Sequence, residues 1–184
     1  FSDGSLGSRS AKLYTDYADD PGNTGILVIS PEDLAKRMYK AYRHGLQPAT
    51  HCIGDKALEV TLDAVEYCLQ QGLKDGMTPE EQAKRLPFRI IHAQMATPEL
   101  IERMKKLPIV LDIQPTFLMT DLHWIEERVG KERAVLSYPW KTYLDSGLIM
   151  AGGSDAPVES FNPWIGIYAT VTRQDMDGYP VGGY

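Results

Sequence analysis

Apolar residues follow two kinds of pattern along the chain, helical stripes and short continuous runs. Four of the runs predict buried parallel strands, because strands covered on both faces are apolar along their whole length. These predicted strands comprise residues 47–52, 88–93, 108–113 and 148–153. Stripes with a helical period predict helices over residues 30–44, 55–71, 97–104, 135–146 and 162–171.

Residues at the ends of these helices support the boundaries. Ser30 followed by Pro31 is typical of a helix N-terminus, since serine caps the first turn and proline is tolerated at the first helical position. Gly45 and Gly72 are expected just beyond the first two helices, where glycine commonly ends a helix. Between the elements, Thr78 can begin a short additional helix, and residues 114–133 form a long connection.

The alternation of strands and helices predicts an α/β protein with a parallel sheet. Half of a (β/α)₈ barrel agrees well with this order of elements. A doubly wound sheet agrees nearly as well, and the pattern alone does not separate the two.

Composition narrows the class of protein. The chain has 184 residues, 43% of them hydrophobic and 24% charged, which is enough to bury a sizeable core. Its net charge of −6 argues against a nucleic-acid-binding surface, which needs clustered lysine and arginine. No apolar run reaches the roughly 18–20 residues that a membrane span requires. Cys52 and Cys68 are too few for a disulfide scaffold and predict reduced thiols in a cytoplasmic protein.

The two ends of the sequence suggest a piece of a longer protein. The chain opens with Phe1, and residues 1–11 show no charged or apolar segment that would predict a signal peptide. Residues 179–184 end in a turn rich in glycine and proline. We therefore expect an internal fragment.

Polar residues stand where the predicted strands end. His51 closes the first strand, His92 the second and Gln114 the third, and Asp155 follows the fourth. The carboxyl ends of parallel strands meet at one edge of the sheet, so we expect these side chains to converge. Two imidazoles and a carboxylate are ligands that suit a Zn²⁺-like ion.

Each of these residues also has a structural explanation. A single histidine at a strand end is commonly a hydrogen-bonded structural residue, and Asp155 can cap the turn before Ala156 and Pro157. Gln114 before Pro115 is more typical of a supporting residue than of a ligand. Only the coincidence of several such residues at matching strand ends favours a metal site.

Weaker signals lie elsewhere in the chain. The loop at residues 3–9 is rich in glycine and serine and could hold an anion with its amides and Arg9, but it lacks the spacing of a nucleotide-binding P-loop. Asp121 and Trp124 lie in the long connection, a common place for lids and substrate walls. Cys52 beside His51 is rejected as a nucleophile, because its apolar surroundings would raise its pKa.

Six ordered motifs resemble the amidohydrolase superfamily, and within it the family 3 type that includes N-substituted formamide deformylases and YtcJ-like proteins. They cover nearly the whole chain: residues 3–9 (DGSLGSR), 51–57 (HCIGDKA), 89–94 (RIIHAQ), 114–116 (QPT), 153–159 (GSDAPVE) and 171–173 (VTR). The resemblance implies a metal-dependent hydrolase on a (β/α)₈ TIM barrel. Residues 1–184 would then form the C-terminal half of the barrel domain, roughly strands 5 to 8 with their helices, without the N-terminal half-barrel and the β-sandwich domain.

The resemblance also assigns roles to individual residues. His51 and His92 match the metal-binding histidines at the ends of strands five and six. Asp155 matches the strand-eight aspartate, which binds metal and transfers the proton. The family's paired histidines of strand one and its carboxylated lysine would lie before Phe1. Ile91 departs from the pattern, since the family often has glutamate there.

The resemblance implies cleavage of an amide-type C–N bond in a small molecule by a metal-activated water. The implied cofactor is a divalent metal, zinc before iron, manganese or nickel, with one or two ions in the whole protein. Arg9, Asp121, Trp124 and Arg173 are the candidate substrate-binding residues.

Two alternatives stay open at this point. One is a sibling activity on the same scaffold, such as cyclic-amide or ester hydrolysis. The other is a catalytically silent fragment or interaction module. An open half barrel exposes strand edges and apolar faces, so a homo-oligomer is a further expectation. Neither nucleic acid nor membrane is an expected partner.

Overall fold

The computed structural model describes residues 1–184 and contains one parallel sheet of four strands in the order β1-β2-β3-β4. Each strand falls within one of the four predicted apolar runs. Their bounds are Ala49–Cys52 (β1), Phe88–His92 (β2), Ile109–Ile113 (β3) and Met150–Gly152 (β4). The predicted α/β class is confirmed.

Nine helices surround the sheet. In chain order they are α1 (Pro31–Arg43), α2 (Asp55–Lys74), α3 (Pro79–Ala83), α4 (Pro98–Met104), α5 (Thr116–Asp121), α6 (Ile125–Val129), α7 (Lys131–Ala134), α8 (Trp140–Asp145) and α9 (Pro163–Thr172). The expected caps are in place where a polar residue precedes a proline. Side chains of Ser30, Thr78, Thr97 and Asn162 accept hydrogen bonds from the first turns of α1, α3, α4 and α9.

Two predicted boundaries differ from the structure. Helix α2 continues through Gly72 to Lys74 instead of ending before it. Gly72 is buried, and a Cβ atom there would lie 2.6 Å from Nε2 of Gln82 and 3.1 Å from Sδ of Met77, so the glycine provides packing space. The predicted helix over residues 135–146 is shortened to α8, which begins only after Pro139.

The strand register determines which side chains reach the edge of the sheet where the candidate residues lie. His51 of β1 pairs with Ile91 of β2, and Cys52 pairs with His92. Cys52 and Ile90 are buried on the helix-covered face, together with Leu111. The opposite face is more open and carries an ion pair, in which Nε of Arg89 lies 2.8 Å from Oδ2 of Asp112.

No helix in the structure combines the length and the apolar composition that crossing a membrane would need.

Candidate metal centre

The two predicted metal-binding histidines lie side by side. His51 is the third residue of β1 and His92 is the last residue of β2, and the parallel register brings both to the same end of the sheet. Their rings pack edge to face with centroids 4.8 Å apart. Phe1 lies on the other side of the His51 ring at 4.8 Å, and Phe117 packs against His92 at 5.4 Å.

His92 opens a turn of unusual backbone geometry. His92 and Ala93 have φ angles of 71° and 45°, in the left-handed region that residues with a side chain seldom adopt. Such residues cost about 1–3 kcal/mol each and persist only where their surroundings hold them. Here the Tyr143 hydroxyl donates to the carbonyl of Ala93 at 2.7 Å, and the Met95 amide donates to the carbonyl of Ile53 at 3.0 Å. The strained turn ends β2 with the His92 imidazole lying between the rings of His51 and Phe117, both within 5.4 Å.

Asp155 reaches the same place from the loop after β4. Its Oδ2 atom lies 3.8 Å from Nε2 of His92, and its side chain is 45% exposed. Its φ of 55° is also left-handed, and its carbonyl accepts the amide hydrogen of Val158 at 2.9 Å. The residue at the end of the fourth strand therefore meets the histidine at the end of the second.

The chemistry of these donors agrees with a metal ion. Nδ1 of His51 is buried and has no hydrogen-bond partner, since the nearest carboxylate oxygen, Oδ1 of Asp3, is 3.3 Å away with poor geometry. Burial, and secondarily the neighbouring His51, lower the pKa of His92 to about 3, so its imidazole is neutral near pH 7. A neutral imidazole offers the lone pair that a metal requires. No group of three His, Cys, Asp or Glu side chains in this chain is arranged to hold a metal ion by itself.

Gln114 follows β3 directly, as expected. Its side chain is buried and its Oε1 atom has no hydrogen-bond partner. The hydroxyl of Thr116, two residues on, is buried and unpartnered as well. Buried oxygen atoms without a hydrogen-bond partner are uncommon in folded proteins. Two of them lie close together in the sequence at the end of β3.

Asp3 is a supporting residue whose role the sequence did not reveal. Its side chain is fully buried, and its carboxylate accepts the backbone amides of Lys12, Ile53 and Gly54 at 3.0, 3.1 and 2.8 Å. Asp3 thereby joins residues 3–12 to the loop after β1 and lies beside His51. In the sequence Asp3 stands only in the 3–9 loop, which could hold an anion and is the first of the six family motifs, and neither feature predicts a buried carboxylate.

Two of the candidate substrate-binding residues bind other side chains of the protein. Arg9 forms an ion pair with Asp19, with 2.8 Å between Nη2 and Oδ2. Asp121 is buried, and its carboxylate accepts hydrogen bonds from Nε2 of Gln94 at 2.8 Å and from the Tyr138 hydroxyl.

The other two lie near loops at different places. Trp124 is half-buried beside Gly7, whose Cβ position would be 3.5 Å from the indole ring, and so it reaches the 3–9 loop. Arg173 donates to the carbonyl oxygens of Tyr184 and Tyr138 at 2.7 and 3.1 Å. It also lines a cavity of about 570 Å³ whose wall contains neither histidine nor Asp155.

Both cysteines are free, buried thiols. Burial raises the pKa of Cys52 well above its usual value and the pKa of Cys68 to about 12. Both groups are therefore protonated near neutral pH, and a protonated thiol is a poor nucleophile.

The titration of Asp121 gives a first testable expectation. Burial raises its pKa to about 6, although the hydrogen bonds from Tyr138 and Gln94 oppose the shift and nearby Glu159 adds to it. Because the folded-state pKa exceeds the unfolded value near 4, the folded protein binds more protons between these pH values and loses stability as the pH rises. The free energy of unfolding should fall by about 3 kcal/mol between about pH 4 and pH 7 relative to an Asp121→Asn variant. Urea unfolding of both proteins across this range measures the difference, and parallel curves would contradict it.

A parallel α/β sheet with two histidines and an aspartate near its strand ends defines a candidate metal centre. The chain belongs to the amidohydrolase family, because the model described as "Amidohydrolase family" matches residues 1–183. The family resemblance seen in the sequence is therefore confirmed.

Individual relatives agree with this assignment. The chain is 41% identical to YtcJ of Bacillus subtilis over 175 residues, which cover 95% of this chain and 31% of YtcJ. It is 25% identical to the N-substituted formamide deformylase of Arthrobacter pascens over 161 residues, 86% of this chain and 28% of that protein. The crystal structure of an uncharacterized metal-dependent hydrolase from Pyrococcus horikoshii is similar with a TM-score of 0.81 at 39% identity, over 94% of this chain and 32% of that chain. The chain thus spans about a third of the length of these relatives, consistent with a partial (β/α)₈ barrel.

Proposed function

We propose that the whole protein containing this chain is a metal-dependent hydrolase that cleaves an amide-type C–N bond of a small molecule. The observation that carries the proposal is the meeting of His51, His92 and Asp155 at one end of the parallel sheet. The rings of the two histidines are 4.8 Å apart, and the carboxylate lies 3.8 Å from His92. The chain belongs to the amidohydrolase family, and these three residues are the ligands that the sequence predicts.

Residues 1–184 would supply strands 5 to 8 of the barrel, and the remaining ligands would come from the other half of the domain. His51 and His92 are the proposed nitrogen ligands, and Asp155 is the proposed oxygen ligand. The three ligand types suit zinc first.

A divalent metal held there would supply Lewis acidity, lowering the pKa of a water molecule and polarising the carbonyl of the substrate. Asp155 is the proton carrier in this proposal. Its exposed carboxylate can accept a proton from the attacking water and then donate it to the leaving nitrogen, since both transfers occur within reach of one side chain. The ring of Phe117 packs against His92, with centroids 5.4 Å apart, and makes this side of the imidazole apolar.

The amide substrate class is supported by the similarity to the formamide deformylase of Arthrobacter pascens. Cyclic-amide and ester hydrolysis use the same chemistry and are the alternative activities. Of the four proposed substrate-binding residues, Trp124 fits that role best, because its ring lies against the 3–9 loop and is only half-buried. Arg9, Asp121 and Arg173 would have to exchange their present partners to contact a substrate.

The metal content of the whole protein tests the proposal most directly. The wild-type protein should retain a stoichiometric divalent metal, measured by mass spectrometry of the digested protein. His51→Ala and His92→Ala should each lower metal occupancy at least tenfold after dialysis, because each removes one nitrogen ligand. Turnover of N-formyl, cyclic-amide and ester substrates then identifies the bond that is cleaved.

His44→Ala is the matched control, since His44 is an exposed histidine at the end of α1. It should leave metal occupancy unchanged. Full occupancy in either His51→Ala or His92→Ala would remove that residue from the site, and a metal-free wild-type protein that hydrolyses amides would overturn the proposal.

A binding role is the second candidate function, favoured by apolar side chains around β4 and α9. Phe161, Trp164 and Val171 are more than 70% exposed. Patches of this kind commonly mark an interface, with a second copy or with the rest of the domain. Metal-dependent turnover by the whole protein would decide in favour of the hydrolase.

A further inference from the structure

A buried polar cluster ties together three loops near the metal centre. The Oδ2 atom of Asp121, at the end of α5, accepts hydrogen bonds from Nε2 of Gln94 and from the Tyr138 hydroxyl. Gln94 and Tyr138 are buried as well. The three residues come from the segments after β2, after β3 and before α8, so a single carboxylate oxygen joins them.

This cluster connects directly to the strained turn of His92. Gln94 follows the turn at His92 and Ala93 directly, and its side-chain amide is held by Asp121. Its carbonyl accepts the amide hydrogen of Tyr138 at 2.7 Å. Tyr138 also has a left-handed φ, of 52°. A residue in this region persists only where its surroundings hold it, and here the hydrogen bonds to Gln94 and Asp121 do so.

We propose that Asp121 is a positioning residue that holds His92 in its metal-binding orientation by fixing Gln94 and Tyr138. The proposal rests on the proposed function for the identity of the metal ligand. It differs from a substrate-binding role because the carboxylate faces the interior, at 6% exposure, and both donors on it belong to the protein.

The two hydrogen bonds to Asp121 set the cost of removing its carboxylate. Removing the carboxylate leaves the Gln94 amide and the Tyr138 hydroxyl buried without an acceptor, which costs about 1–3 kcal/mol for each group. The turn at His92 and Ala93 is the strained element next to Gln94, so it can relax when Gln94 moves to find a new partner. A shift of the imidazole by a fraction of an ångström is enough to weaken a metal bond.

Asp75, the residue that follows α2, provides a control. Asp75 also accepts hydrogen bonds from a tyrosine hydroxyl, that of Tyr39 at 2.6 Å, and from a glutamine amide, that of Gln71 at 2.8 Å. This pair of interactions has the same chemistry, but neither donor adjoins a proposed metal ligand. Asp75 is exposed, so water can take the place of its carboxylate, and Asp75→Ala reports what losing the same kind of contact does at the surface of the protein.

The first measurement is the affinity of the whole protein for Zn²⁺ after removal of its own metal. Asp121→Ala should bind Zn²⁺ about 10–100-fold more weakly than wild type, the range typical of lost supporting contacts. Asp121→Asn should stay within about threefold, because its amide oxygen can occupy the Oδ2 position and accept from both donors. Asp75→Ala should bind Zn²⁺ as tightly as wild type. An equal loss in Asp75→Ala would overturn the proposal, since the effect would then reflect general destabilisation.

The second measurement needs no metal. The ring signal of His92 in the NMR spectrum of the histidine-labelled apoprotein, assigned by its loss in His92→Ala, should shift in Asp121→Ala and in Gln94→Met but not in Asp75→Ala. Gln94→Met serves if Asp121→Ala does not fold. An unchanged His92 signal in the folded variants would overturn the proposal. A wild-type protein that binds no Zn²⁺ through His92 would refute the proposed function instead, and the NMR result would still decide the positioning role.

Discussion

Replacing Asp155 by asparagine in the whole protein should lower kcat for the amide substrate by about 10²–10⁴-fold, the usual contribution of general acid–base catalysis. Asparagine has nearly the same shape but can neither accept nor release the proton. The carboxylate makes no hydrogen bond within the protein other than its approach to His92, and its side chain is 45% exposed. The thermal midpoint of unfolding, measured on the metal-free proteins, should therefore stay close to that of the wild type, whereas kcat falls.

Asp145→Asn is the control for this prediction. Asp145 is also an exposed aspartate near a helix end, 59% exposed and paired with Lys141 across one turn of α8. Surface pairs of this kind contribute at most about 1 kcal/mol, so kcat and the unfolding midpoint should both be unchanged. If Asp155→Asn retained full kcat at saturating substrate, Asp155 would no longer be a candidate proton carrier.

Features set by local sequence could be predicted from the sequence. The apolar runs predicted all four strands, because a buried parallel strand is apolar along its whole length and can be recognised from its own residues. Ser30 and Thr78 marked helix starts because a capping residue acts on its own first turn. Gly72 misled the prediction, since its role depends on Gln82 and Met77, which pack against it from beyond the helix.

The candidate site also has one part that could be predicted from the sequence and one that could not. The meeting of His51 with His92 followed from strand order alone, because neighbouring parallel strands end at one edge. The interior position of Asp121 did not, since it requires Gln94 and Tyr138 from two other loops. A long connection rich in polar residues resembles an exposed lid in the sequence, and only the packed structure shows which of its charges are buried.

Asp3 shows the same dependence on distant partners and carries the second large expectation. Asp3→Ala should lower the free energy of unfolding by about 2–6 kcal/mol, because the buried amides of Ile53 and Gly54 lose their side-chain acceptor at about 1–3 kcal/mol each. The half-buried amide of Lys12 loses the same acceptor, but water can replace part of that bond. The backbone cannot shift to compensate, since Gly54 already lies against the carbonyl of Lys12, where a Cβ atom would be 2.0 Å from the oxygen. Urea unfolding of the whole protein, followed by tryptophan fluorescence, measures the change.

The matched substitution is Asp16→Ala. Asp16 accepts one backbone amide, that of Gly22 at 2.7 Å, in an exposed loop where water can replace it, so the cost should be below about 1 kcal/mol. Because Asp3 also lies 3.3 Å from Nδ1 of His51, its loss should weaken metal binding in any Asp3→Ala protein that remains folded. A cost equal to that of Asp16→Ala would show that residues 3–12 are held to the β1 end by apolar packing of Leu6 and Leu13 rather than by this carboxylate.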